Sequence, residues 1–105
     1  MNFEIVYLSG PITKNQNASR SFSGMQRLLE RRRAKVLNPM DIPPPTPDAK
    51  GSDWQYYMRQ AVAMMMDADR VIMLEGWRGS KGAIIEYRLA KSLDIPVEDE
   101  KGTSL

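Results

Sequence analysis

Neither cysteine nor histidine occurs anywhere in this sequence, and those two gaps narrow the chemistry more than any other feature of its composition. Disulfides, thiolate nucleophiles, imidazole bases and nearly every structural zinc site go with them. Serine–histidine and cysteine–histidine catalysis are excluded outright. Any acid–base or nucleophilic work then falls to carboxylates, Lys, Tyr, Ser or Thr, and neither a metal nor a cofactor is expected. A long apolar run is also lacking, so nothing spans a bilayer and no membrane partner is expected. Glu4 stands where a secretory signal would carry its basic and apolar regions, and no small-residue cleavage site follows, which makes a cytoplasmic location the expectation.

What is present fits one folded domain over residues 1–105. A chain of 105 residues has enough length for one core and not for two. The 42% apolar and 27% charged content is that of an ordinary folded protein. A net charge of +2 is too small to argue for a nucleic-acid partner. Arg31, Arg32 and Arg33 form the one dense basic run; a nucleic-acid face is one reading of it, and a solvated helix end is the reading preferred here.

Phe3 to Ser9 reads as a strand covered on both faces, because Ile5, Val6, Tyr7 and Leu8 are continuous; Gly10-Pro11 stops it. Ala18, Phe22, Met25 and Leu29 then make the stripe of an amphipathic helix that closes near Arg33. Ala34 to Leu37 is a second strand. Residues 41–52 hold four of the seven prolines and read as an extended surface loop of the kind that folds over a pocket. Asp53 is the expected cap of a second helix with Trp54, Met58, Ala61 and Met65 on its buried stripe and Tyr57 beside it. Arg70 to Leu74 is a third strand, Gly76, Gly79 and Gly82 punctuate the turn after it, and Ile85, Leu89 and Leu93 mark the expected core face of a third helix. Pro96 and Val97 begin a brief fourth strand, after which the polar tail from Glu98 is expected to fray.

Strands alternating with helices, without a hairpin signal, imply an α/β fold: a small doubly wound parallel sheet, flavodoxin- or Rossmann-like, ordered 2-1-3-4. Its order reverses between the first and third strands, and ligands of such sheets bind outside the carboxyl ends of the strands at that point. The turns Ser9-Gly10-Pro11 and Gly76 to Gly82 fall there. The second is not a Walker loop, since Lys81 comes one residue early and Gly82 stands where Ser or Thr is needed. It still leads into a helix N-terminus that favours an anion, and Ser80 is placed either to cap that helix or to bond a phosphate oxygen. Glu86 follows in the second turn, on the face of Gly82 and Ala83, where small residues leave room above its carboxylate.

Tyr7-Leu8-Ser9-Gly10-Pro11-Ile12, Asn38-Pro39, Trp54 with Tyr57-Met58-Arg59, Ala68-Asp69, and Gly76-Trp77 followed by Ser80, Gly82, Ala83 and Glu86 together resemble the nucleoside 2-deoxyribosyltransferase-like proteins, including small bacterial and phage members of uncharacterised function. The resemblance covers about residues 5–97. It implies that Glu86 attacks the anomeric carbon of a nucleoside, giving a covalent deoxyribosyl-enzyme that water or a second base resolves. It implies a sugar and phosphate pocket lined by Tyr7, Gly10 and Ile12, with Ser9, Trp77, Ser80 and Gly82 as further binding residues from the two turns. Ser80 matches the hydrolases of nucleoside 5'-monophosphates, where transferases usually have Asp. The chain departs from the family at Ala61, where an Asp is usual. Family members are commonly homo-oligomers with sites completed by a neighbour, so at least a dimer is expected. The resulting expectation is an enzyme that cleaves or transfers at the N-glycosidic bond of a (deoxy)nucleoside 5'-monophosphate, the alternative being a nucleotide-binding or sequestering module of weak or no activity.

Overall fold

Alternation along β1, Ile5–Ser9, divides the protein into two cores in the computed structural model, which describes residues 3–105. Val6 and Leu8 lie on one face of the sheet, with Tyr7 on the other, as the two-residue repeat of a strand requires. Along β3, Arg70–Met73, and the Leu74 that follows it, Ile72 and Leu74 join the first core while Val71 and Met73 join the second. The first core is closed by α1, Ala18–Arg31, through Ala18, Phe22 and Leu29. α2, Asp53–Met65, and α3, Lys81–Ser92, close the second through Ala61, Met65, Ala83 and Ala90. With helices on both faces, the central strands read as unbroken apolar runs.

Adding β2, Lys35–Leu37, and β4, Val97–Asp99, gives four parallel strands in the order β2-β1-β3-β4, the expected topology. Tyr7 stands opposite both Leu37 and Val71, and Ser9 opposite Met73. Gly10 then lets the chain leave the sheet tightly, since a Cβ there would come within 2.9 Å of the Leu74 Cβ.

Five expectations are corrected. α3 turns Ala83, Glu86 and Ala90 inward, whereas Ile85 and Leu93 are exposed and Leu89 only half-buried. Small residues let the helix approach the sheet closely, and they carry little apolar signal in sequence. α2 is capped by Ser52, whose hydroxyl accepts from the Gln55 N–H while the Gln55 side chain accepts from the Ser52 N–H; Asp53 is its first helical residue. Trp54 is 36% exposed, outside the core stripe. The proline-rich stretch does not roof the cavity described below: Ile42 reaches it, while Thr46, Asp48 and Lys50 rest near Tyr56 and Arg59 on the other side of α2. The tail does not fray. The Asp99 carboxylate accepts from the Lys101 and Thr103 N–H groups, turning the chain so that Ser104 bridges Glu98 and Leu105 packs on the second core. Among the described residues no helix is long and apolar enough to cross a membrane.

Candidate functional site

Two residues apart on one strand, Tyr7 and Ser9 project from the same face with about 7 Å between them. Their hydroxyls converge on one carboxylate. Tyr7 Oη donates to Glu86 Oε2 at 2.8 Å, and Ser9 Oγ donates to Oε1 at 2.7 Å. Glu86 is only 5% exposed. Burial pushes its carboxyl above the ordinary glutamate range, and the Ser9 and Tyr7 hydrogen bonds pull it back by favouring the ionised form. The Tyr7 phenol is held well above its usual range, first by burial, then by the charge and hydrogen bond of Glu86, so it stays a donor. The salt bridges among the described residues lie elsewhere; Glu86 is a buried acid served by two neutral donors and no cation.

That carboxylate lies on the wall of a cavity of about 530 Å³, within the ordinary range for a small-molecule site. The cavity opens at the carboxyl ends of β1, β2 and β3, where Gly10, Pro39 and Ser80 border it. Ser80 is the N-cap of α3: its hydroxyl accepts from the Ala83 N–H at 3.3 Å. Capping does not use the Ser80 hydroxyl proton, and the first turn leaves the Lys81 and Gly82 N–H groups without helical acceptors. These three groups can receive an anion. Gly82 is a spacing residue, because a Cβ there would sit 2.8 Å from the Met58 sulfur on α2. Any larger side chain pushes Met58 aside and narrows the cavity between the helices.

Of the residues singled out from sequence, Tyr7, Gly10, Ile12, Ser80, Gly82 and Glu86 share this wall. Ser9 and Trp77 do not. Ser9 is fully buried and reaches the site only through Glu86. Trp77 packs in the second core against Tyr87, ring centroids 4.7 Å apart, and covers the base of α3. Sequence reasoning missed the α2 contribution: Asp53, Trp54, Tyr57 and Met58 all line the cavity, with Thr13 from the loop after β1. Trp54 and Met58 share a helical face with the buried Ala61 and Met65, and periodicity does not separate a cavity wall from a core contact. Ala61 itself is on the wall, 6% exposed, a methyl where the resemblance leads one to look for an acid. Lys81 Nζ stands 4.5 Å over the Trp54 ring at the first turns of α2 and α3. Among the described residues there is no cluster of three or more side chains able to hold a metal.

Comparison with known proteins supports this architecture without assigning it a chemistry. A family model described as "Domain of unknown function (DUF4406)" matches residues 4–99. The solved structure of a conserved protein from Enterococcus faecalis V583 is similar, with a TM-score of 0.75 over 93% of this chain at 16% identity. The match spans 63% of that protein's length, and at such low identity it speaks for the fold alone. No curated protein matches the sequence.

Proposed function

We propose, for a chain that belongs to the DUF4406 family of domains of unknown function, that the cavity processes a (deoxy)nucleoside 5'-monophosphate at its N-glycosidic bond, with Glu86 as the nucleophile. The observation that carries this reading is the setting of Glu86: buried in a cavity wall, with each oxygen held by a hydroxyl and no cation to quench it. Two hydrogen bonds fix the carboxylate's plane, and burial keeps it poorly solvated, which is how a weak oxygen nucleophile is made competent toward a sugar carbon. A Glu86 oxygen attacks the anomeric carbon and the bond to the base breaks, its electron pair going to the base nitrogen. Water then attacks the same carbon, freeing the sugar phosphate and restoring the carboxylate, or a second base does so in a transfer. The Ser80 hydroxyl and the N–H groups at the start of α3 are suited to the 5'-phosphate. Trp54 and Tyr57 offer aromatic faces to the base. The resemblance to the nucleoside 2-deoxyribosyltransferase-like proteins points the same way, including a homo-oligomer, for which light scattering at micromolar concentration is the measurement.

The test is a panel of nucleosides and nucleoside 5'-monophosphates, with both neutral and cationic bases, assayed for free base by chromatography. Release from a monophosphate, lost in Glu86→Gln, is expected; no base freed or exchanged from any member ends this reading. Ala61 favours one alternative, a module that binds a nucleotide and leaves it intact. Ligand recovered unchanged from a tight complex, with no turnover across the panel, establishes that alternative instead.

A further inference from the structure

Among the described residues, carboxylates are the only charged side chains on the cavity wall: Glu86 in its depth and Asp53 at the exposed first turn of α2. No lysine or arginine lines it among the described residues. A cavity built this way attracts positive charge. Its aromatic wall agrees, since Trp54 and Tyr57, three residues apart, share a helix face; the Lys81 ammonium stands over the Trp54 ring, and a cationic ring that stacks there has to displace it.

The wall is equally specific about protons. Expelling a neutral base as its anion is slow, so an enzyme that cleaves such a bond supplies a proton to the leaving nitrogen. Here Tyr7 and Ser9 have both committed their protons to Glu86. The Ser80 and Thr13 hydroxyls are too weakly acidic to serve. Ala61 presents only a methyl, and Asp53 stands two helical turns before it, about 12 Å along the axis of α2. Apart from the phenol of Tyr57, on an exposed part of the wall, the cavity therefore offers a nucleophile without an acid beside it among the described residues.

Resting on the N-glycosidic reading above, we infer that the substrate class is a nucleotide whose base is already a cation, a quaternised heteroaromatic ring such as a pyridinium or an N7-alkylated purine. When Glu86 attacks the anomeric carbon, the electron pair of the breaking C–N bond neutralises the ring nitrogen. The base leaves neutral and takes up no proton. Water resolves the glycosyl ester, returning the carboxylate and giving one proton to solvent, so the balance closes without an acid or a further reactant. The ring stacks on Trp54 and Tyr57 with its charge toward Asp53, and the phosphate lies at the start of α3.

A matched pair tests this: guanosine 5'-monophosphate and its 7-methyl cation, in ribo and 2'-deoxy forms, with nicotinamide mononucleotide as a second cationic probe. The cationic nucleotides are expected to be cleaved at least about 10²-fold faster in kcat/KM, the lower end of what a general acid contributes. The rate for nicotinamide mononucleotide, whose pyridinium has no ring proton to lose, should hold level above neutral pH, and that for the 7-methylguanine nucleotides only until their N1 proton dissociates. Any neutral-base cleavage falls about tenfold per pH unit because its proton comes from solvent. Asp53→Asn is expected to raise KM for the cations selectively, and Ala61→Asp to shrink the cation-to-neutral ratio by restoring an acid. Cleavage of the neutral partner within tenfold of the cation overturns the inference while leaving the N-glycosidic reading standing. A 10²-fold loss of neutral-base cleavage in Tyr57→Phe does the same, by identifying the phenol as the acid. No cleavage of any probe overturns both.

Discussion

The two ends of the sheet handle charge in opposite ways. Where the strands begin, Arg70 bonds Glu4 at 2.7 Å and also Glu98, so one cation is shared by two acids from the flanking β1 and β4 segments, while the Asp69 carboxylate accepts from the Ile5 N–H. Where the strands end, Glu86 has two hydroxyls and no counter-charge. The first arrangement sets opposite charges against each other and staples three neighbouring segments, as a structural cluster does. The second holds one charge in place without cancelling it, at a cost in desolvation that packing must offset. Burial combined with uncompensated charge is a common mark of a working group, and here it distinguishes the cavity end of the sheet from the opposite one.

Removing each charge should break that contrast in a different observable. Glu86→Gln is expected to lower base release by about 10³-fold or more while ligand binding stays within about tenfold, read by kinetics and calorimetry. It should also change how stability depends on pH. The folded chain holds the Glu86 proton more tightly than the unfolded chain, whose value is near 4.5. That contribution is complete below the unfolded value and is lost as pH rises through the raised one. Urea unfolding of Glu86→Gln should lack this loss, so a variant with the wild-type slope contradicts the assignment. Arg70→Met is expected to do the reverse, costing about 1–3 kcal/mol because the cluster is partly exposed, with base release by the folded fraction unchanged.

Most of this contrast could be anticipated at the cavity and little of it at the other end. Continuous apolar runs at Ile5–Leu8 and Val71–Leu74, separated by helical stripes, fixed a parallel sheet and its switch point, and Glu86 followed from its place after the Gly76–Gly82 turn. The Tyr7–Glu86 bond joins residues 79 apart, and the Arg70–Glu4 pair spans 66; no local pattern announces either. The inward face of α3 is not legible because Ile85, Leu89 and Leu93 look like a core stripe in sequence, whereas Ala83 and Ala90 do the packing. In the same way Trp54 and Tyr57 resemble core aromatics until the gap beside Gly82 is seen.

Two smaller changes sharpen the comparison. Tyr7→Phe removes one hydrogen bond that favours the ionised Glu86, so the acidic limb of the kcat/KM profile should move to higher pH, with about 1 kcal/mol or more of stability lost at this buried site. An unmoved limb would mean that the phenol does not act on the reacting carboxylate. Glu4→Gln, at the other end, touches a half-exposed acid and is expected to change stability by at most about 1 kcal/mol and the pH profile not at all.

The returning tail has a consequence beyond the stability of β4. A strand at the margin of a sheet carries a row of free amide groups on which another chain can add. On β4 that row is already engaged, because the Asp99 N–H bonds the Thr103 carbonyl and the Leu105 N–H bonds the Val97 carbonyl, both at 2.9 Å. The opposite margin, β2, is three residues long and too short to template much. Growth by strand addition is thereby discouraged on both sides, so any association between copies would have to use the helical faces, beside which the cavity opens.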